Sequence, residues 1–367
     1  MPASADLAEV IRKLLRDNDL PFRDFVELAL YHPQLGYYAK RARPEADYVT
    51  SPRLSPLFGN TLGKLVSEFA RRVDDGLSTV VDIGCGDGSL INSLASVWPL
   101  ASAGGVRAET RTHFFYGVDR LLERITSRES RVHFVQTLNE VPRGGAHLIL
   151  ANELFDAFPF ARLVQRDEHL HELWVTDRDG QLDWTEHEAP GPYEDYFAVR
   201  GITLDDGQFA DVSLEWEAYY RDLCRFVERG MIVTFDYGFP QEQLFRSRVR
   251  RFGTAAAYHA QRVTRDLLAS PGEQDLTAHI NFTDLIRAGE DSGFRTLFFD
   301  RQAKFLLALG AGEDPLIQTA PRSIEELQQR EDARRLVLPD GIGEDIRVLV
   351  QARGLTHEEW SFQRKLY

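Results

Sequence analysis

Cysteine is nearly absent from this 367-residue chain, with Cys85 and Cys224 as its only two. Two cysteines cannot build a disulfide framework or, unaided, a zinc site, so reduced thiols and no bound metal are expected. That usage also leads to the expectation of a cytoplasmic location. No apolar run approaches the ~20 residues of a membrane span. The opening stretch MPASADLAEVIRKLLRDN places acids at Asp6 and Glu9 within a helical period, which fits neither a signal peptide nor a transit peptide. An excess of positive charge is missing as well: 43 Lys+Arg stand against 57 Asp+Glu, a formal net charge of −14. That balance argues against a protein that coats a nucleic-acid backbone and fits poorly with docking on anionic lipid. The expected partners therefore include no nucleic acid and no membrane.

What is present is a composition of 43% hydrophobic and 27% charged residues, enough to bury a core. The length exceeds one bare α/β core. The excess is assigned to an N-terminal helical cap or lid over about 1–75, an insertion at about 160–228 and a long irregular loop at 239–280. Between and after these, residues 76–367 form the main domain. Leu7, Val10, Ile11, Leu14 and Leu15 recur at helical spacing, and a helix is expected at about 56–73. Buried strands at 79–83, 114–119, 132–137 and 147–153 alternate with helices, which indicates βαβ units and a parallel sheet. Beyond Pro159 the pattern turns antiparallel, with a hairpin turn at Asp179-Gly180, a helix at about 212–228 and a further buried strand at 231–238. A helix at 281–291 and strands at 294–300 and 346–353 close the chain.

The strongest signal is Asp82-Ile83-Gly84-Cys85-Gly86-Asp87-Gly88, the form D-x-G-x-G-x-G at the end of a strand. Its glycines permit a tight turn and a close backbone approach to a ligand, and the next helix presents its N-terminus. A dinucleotide fingerprint would need its third glycine at Ser89. The tighter spacing resembles the S-adenosylmethionine loop of class I methyltransferases, a resemblance that implies Asp82 near the amino-acid end of the cofactor. Asp119 ends the second strand and is placed to take the ribose hydroxyls. It lies further along than the ~20 residues expected, and the stretch 98–112 absorbs the difference.

Asn152-Glu153-Leu154-Phe155-Asp156 follows the fourth strand, where the transferring methyl would face. Transfer to nitrogen needs the nucleophile held in line and its proton oriented or accepted, and carboxylates pair well with a guanidinium. Glu153 is the first candidate and Asp156 the second, with Asn152 beside them. Asp156 serves equally well as a helix N-cap, and Asn152 as a turn former. Asp236-Tyr237-Gly238 either lines the same crevice or forms a simple Asp-stabilised turn.

Several further blocks, taken in order, resemble the MidA family of class I methyltransferases. They are Leu30-Tyr31-His32-Pro33 with Gly36-Tyr37-Tyr38, Asp47-Tyr48-Val49-Thr50-Ser51-Pro52, and Ser55-Pro56-Leu57-Phe58-Gly59. Asn152–Ala157, Asp236–Gly238 and Asp275-Leu276-Thr277-Ala278-His279-Ile280-Asn281-Phe282 complete the set. The resemblance implies a doubly wound, Rossmann-like α/β sheet, S-adenosylmethionine as cofactor and methylation of a protein arginine linked to respiratory complex assembly. It also implies that Tyr38, Thr50 and Ser51 contribute cofactor contacts within a lid, in place of a purely structural cap. His279 is either structural or proton-handling. Two departures stand out: Arg53 replaces a usual Glu, and Gly253–Gln261 lacks a usual Arg and shifts the His. They keep open a cofactor-binding assembly protein without activity; a nicotinamide oxidoreductase is the other alternative.

Overall fold

The computed structural model describes residues 6–40, 50–73, 77–101, 112–125, 128–246, 248–260, 262–356 and 358–363. The chain separates into two compact units, each assembled from three stretches. Residues 49–154, 219–237 and 285–367 form the larger, and residues 1–48, 155–218 and 238–284 the smaller.

The larger unit is built on a seven-strand sheet. Its strands are β1 (Leu77–Ile83), β2 (Thr112–Val118), β3 (Val132–Val135), β4 (Ala146–Asn152), β5 (Gly230–Phe239), β6 (Arg295–Arg301) and β7 (Ile346–Arg353). Their spatial order is β3-β2-β1-β4-β5-β7-β6. β1 to β5 pair in parallel, and β7 runs antiparallel to both β5 and β6. This is the doubly wound Rossmann-like sheet expected from the alternation of strands and helices. β4 is buried at every position before Asn152, as a strand covered on both faces requires, which explains its unbroken run of apolar residues. The order reverses between β1 and β4, and such a switch point opens a crevice outside the carboxyl ends of the strands.

Two helices pack beside β1. In α1 (Pro56–Arg72) the Ser55 side chain accepts from the Leu57 N–H, and Pro56 occupies the first turn, where its missing N–H costs nothing. Its buried residues Leu57, Phe58, Leu62, Leu65, Val66 and Phe69 join the main core. α2 (Ser89–Ala101) lies so close that a Cβ on Gly59 would stand 2.3 Å from Ser93 Oγ, and one on Gly63 2.9 Å from Val97 Cγ2. Two glycines four residues apart thus let the helix backbones approach.

In the smaller unit a five-stranded sheet joins Leu20–Pro21, Ala161–Arg166, His169–Arg178, Gln181–Glu188 and Phe209–Val212. Its central hairpin turns where expected: Asp179 and Gly180 have φ of 55° and 84°, and Asp177 Oδ1 accepts from the Gly180 N–H at 2.7 Å. The stretch 239–280 is not irregular. It carries a three-stranded antiparallel sheet of Arg262–Thr264, Ala256–His259 and Asp275–Thr277, and Gly238–Phe239 pairs in parallel with Ile280–Asn281. Strands of two to four residues are too short to show a period of two, so sequence reading passes over them. The middle of the expected lid, 41–49, including Asp47, Tyr48 and Val49, and most of the 98–112 stretch lie outside the described residues.

Gly230 begins β5 with φ 148°, and a Cβ there would sit 1.9 Å from the carbonyl oxygen of His147 on β4. Gly230→Ala is therefore expected to cost about 3 kcal/mol of stability, read as a lowered urea midpoint with an unchanged slope.

Candidate active site at the carboxyl edge of the sheet

The glycine loop leaves β1 and folds against the end of β2. Gly84 and Cys85 N–H groups both donate to the Val118 carbonyl, at 2.8 and 3.1 Å, and the Gly88 N–H donates to the Cys85 carbonyl at 2.9 Å. Gly84, Gly86 and Gly88 all have positive φ, at 71°, 57° and 80°. What surrounds them differs. A Cβ on Gly84 would meet Leu154 Cδ1 at 2.7 Å, and one on Gly88 the Phe134 ring at 2.9 Å, so both are packed against protein. A Cβ on Gly86 would meet nothing nearer than Arg124 Nη2 at 4.0 Å. Gly86 is thus the point of the loop whose face is left open to a ligand.

Asp119 holds that open point in place. Its Oδ2 accepts from the Gly86 N–H at 2.9 Å and its Oδ1 from the Leu121 N–H at 2.8 Å. Each oxygen keeps a second acceptor site, the acceptor pair to which the two hydroxyls of a ribose diol can donate. Beside it Tyr219 is half-buried, and its phenol is pushed up to about 12 chiefly by burial, with the Asp119 charge adding to the shift. Asp82 is 2% exposed, and its carboxyl accepts from the Ile91 N–H in the first turn of α2. Burial, reinforced by Asp119 and Asp87, raises its pKa well above the usual carboxylate range. Cys85 and Cys224 are buried thiols raised by desolvation, Cys224 to about 11, in keeping with packing roles.

At the end of β4 the backbone turns sharply. Glu153 has φ 49°, a left-handed conformation that costs a non-glycine residue about 1 kcal/mol or more. Two bonds to β5 hold it there: the Glu153 N–H donates to the Phe235 carbonyl at 2.8 Å, and the Leu154 N–H to Asp236 Oδ2 at 3.2 Å. Asp236 is fully buried, and its Oδ1 also accepts from the Tyr237 N–H. The Glu153 carboxylate accepts from Asn152 Nδ2 and from the Ser51 N–H, each at 3.3 Å. Among the described residues Asn152 Oδ1 is buried without a hydrogen-bond partner.

Thr50 precedes, and Ser51 begins, the short helix Ser51–Leu54, which ties these parts together. The Ser51 hydroxyl exchanges hydrogen bonds with the fully buried Gln302, at 3.0 and 3.2 Å. Arg53 Nε lies 3.2 Å from Asp87 Oδ2, both side chains more than four-fifths buried, so the residue that departs from the family pattern clasps the glycine loop. Neither Gln302 nor the latching function of Asp236 is signalled by any motif. Asp236 was visible as a strand-terminal acid in the Asp236–Gly238 block, open between lining the crevice and stabilising a turn.

Of the residues singled out from sequence, Asp82, Gly84, Gly86, Gly88, Asp119, Thr50, Ser51, Asn152 and Glu153 fall in the larger unit. Tyr38 and Asp156 belong to the smaller. There the Tyr38 hydroxyl donates to Asp275 at 3.1 Å. Asp156 is 6% exposed and no helix follows it, so it is not an N-cap. It lies in a turn whose backbone is pinned by Trp216 Nε1 donating to the Phe155 carbonyl and the Tyr31 hydroxyl donating to that of Ala157. In the divergent stretch, Thr254 and Ala255 N–H groups donate to the buried Asp211, and the exposed His259 bonds the Glu273 carbonyl. The His279 N–H donates to Thr254 Oγ1 and its ring packs on Phe239, a structural setting.

Residues 117–299 match the model of a family described as S-adenosyl-L-methionine-dependent methyltransferases. The chain is 26% identical over 320 residues to the mitochondrial protein arginine methyltransferase NDUFAF7 homologue of Drosophila melanogaster, covering 78% of this chain and 70% of that one. It is 21% identical over 321 residues to mitochondrial NDUFAF7 of Homo sapiens, covering 79% and 70%. A Burkholderia thailandensis protein solved with S-adenosyl-homocysteine bound superposes with a TM-score of 0.82 at 26% identity, covering 98% of this chain and 94% of that one. The expectation of a cytoplasmic location is overturned by these curated relatives, which are mitochondrial proteins.

Gly86→Ala places its Cβ in open space but must hold φ 57°, a strain of about 1 kcal/mol, so the melting temperature is expected to fall by only a few degrees while cofactor affinity falls about tenfold or more by calorimetry. An acid whose folded pKa is raised is most stabilising below its unfolded value near 3.8 and loses stability as pH rises towards the folded pKa. Asp82→Asn, which escapes that loss, should therefore gain on the parent chain as urea midpoints are followed upward from about pH 4.

Proposed function

Because the chain is a member of the MidA-like class I S-adenosylmethionine-dependent methyltransferases, we propose that it transfers the methyl group to a guanidinium nitrogen of a protein arginine. The observation that carries the reading is the strained turn at Glu153. A carboxylate is held at the switch point of the sheet in a conformation that its own backbone disfavours, and such strain collects where a side chain must be aimed. The arginine methyltransferase relatives supply the acceptor class.

When bound, the cofactor supplies an electrophilic sulfonium methyl. The open face at Gly86 and the acceptor oxygens of Asp119 would hold its nucleoside end. The unpaired Asn152 Oδ1 would take a donor from its amino-acid end. Asp82, buried and bonded to α2, supports the loop from within. Glu153 would face the acceptor. A carboxylate pairs with a guanidinium through charge-assisted hydrogen bonds, which fixes the nitrogen's approach and places a carboxylate oxygen to accept the proton that nitrogen releases as the new N–C bond forms and the sulfur–methyl bond breaks. Ser51 and Asn152 already donate to that carboxylate and restrict its rotamers, so little ordering is left for the moment of transfer. Thr50 would lie at the margin of the same crevice. Tyr38 is proposed as a cofactor contact from the family resemblance, and Asp156 as the second acceptor candidate from its place just after the fourth strand. The acidic balance of the chain suits a basic, arginine-bearing acceptor.

The test uses radiolabelled S-adenosylmethionine with arginine-containing protein acceptors, and identification of methylarginine in the product. Glu153→Gln is expected to lower methyl transfer about 10²–10³-fold, with cofactor affinity within about threefold of the parent. Transfer that persists in the variant would remove Glu153 from the role. Label appearing on another side chain or on a small molecule would overturn arginine as the acceptor.

A further inference from the structure

The smaller unit carries a feature that methyl transfer does not use. In a chain of net charge −14, residues 246–265 hold six arginines and no acid. The structure gathers more of them at the same place. A Cβ on Gly207 would lie 3.3 Å from Arg251 Nη2 and 4.0 Å from Arg166 Nη1, so both guanidinium groups overhang one glycine. Arg162 and Arg166 stack on the Phe209 ring, at 4.9 and 5.9 Å. Arg162 also donates to the Phe252 carbonyl, and Arg265 to those of Gly253 and Ala255. Arg162 and Arg166 are paired with Asp211 and Glu186. Among the described residues no carboxylate lies within ion-pair distance of Arg248, Arg250, Arg251, Arg262 or Arg265. Five arginines of the face thus lack an ion-pair partner among the described residues, while Arg246 pairs with Glu242.

Apolar side chains stand between these arginines. Val249 is 89% exposed, Phe252 67% and Val263 62%. Val249 sits on the single turn Arg248–Arg250, Phe252 just beyond it, and Val263 on Arg262–Thr264, the edge strand of the three-stranded sheet. At such exposures they project from the surface and line no groove.

From this arrangement we propose that the face is a peripheral docking surface for an anionic phospholipid bilayer. Guanidinium forks match phosphodiester oxygens in paired hydrogen bonds, and the exposed Arg248 and Arg262 keep those donors available, whereas Arg250, Arg251 and Arg265 give some of theirs to backbone carbonyls. Apolar tips flanked by long cationic side chains suit the boundary between headgroups and acyl chains, which accepts them without a complementary shape. A protein partner would need a matched surface of about 1,000 Å². The remaining acidic charge of the molecule does not forbid this contact, because fields are screened over about 8 Å at physiological salt, so the bilayer senses the face that touches it. No described helix is long and apolar enough to cross a membrane, so the contact is peripheral. The proposal is independent of the acceptor assignment.

Flotation of the full chain with vesicles tests it. Binding is expected to phosphatidylcholine vesicles containing about 30% phosphatidylglycerol, not to phosphatidylcholine alone, and to be lost at about 0.5 M salt. Arg248→Gln with Arg262→Gln, both exposed, should weaken partitioning roughly 25-fold, at about fivefold for each arginine. Val249→Ser with Phe252→Ser should weaken it about tenfold with every arginine retained. Unchanged S-adenosylmethionine affinity in both variants shows that they fold. The proposal is overturned by absence of flotation, by equal binding to neutral vesicles, or by variants that float like the parent. Capture on immobilised polyglutamate without flotation would overturn it too, and would assign the face to an acidic protein.

Discussion

Two backbone N–H groups, those of Glu153 and Leu154, are bound across to β5, one by the Phe235 carbonyl and the other by Asp236. The rest of the catalytic edge depends on this latch. Without it β4 would continue in an extended conformation, and Glu153 would have no reason to occupy φ 49°. With it, the carboxylate turns back over Asn152 and receives the Ser51 N–H. A buried carboxylate that binds two backbone donors, as Asp236 does, keeps its own burial compensated, and its removal would leave those donors exposed in the interior.

The same edge shows how unlike the three loop glycines are. Gly84 and Gly88 are glycine because protein fills the space a side chain would need, Leu154 in one case and Phe134 in the other. Gly86 alone faces outward into free space, and Asp119 fixes its N–H. Close backbone approach to a ligand is therefore a property of one glycine, supported by two whose work is packing. Across the crevice the Ser51–Leu54 turn joins both sides, through Glu153 to the acceptor side and through Arg53 and Asp87 to the glycine loop. Arg53 marks a place where this chain departs from the pattern it otherwise follows. The departure is compensated by a local ion pair and does not empty the site.

Whole-chain averages concealed as much as they disclosed. A net charge of −14 argues against membrane or phosphate contact only if the charge is spread evenly, and 246–265 carries the opposite sign throughout. Short screening lengths make the local sign the operative one. The same stretch was read as irregular because strands of two to four residues give no periodicity, although they form an ordered sheet.

By itself the sequence determined the alternation of strands and helices, the βαβ order, the glycine loop with its following acid, and the Asp179-Gly180 hairpin. Apart from that acid, which lies 33 residues beyond Gly86, each is written in near neighbours, where periodicity and turn chemistry act. Glu153 was legible as a candidate because it directly follows a buried strand. Only the tertiary structure decided how it is held. Asp236 lies 82 positions from Leu154 and Gln302 251 positions from Ser51, and no local pattern links them. It also decided that Asp82 is buried under the loop and that Gly86 is the open one, because both facts depend on which distant side chains occupy the remaining space. Local hydrogen bonding and hydrophobic period set the elements; contact across the switch point set the chemistry.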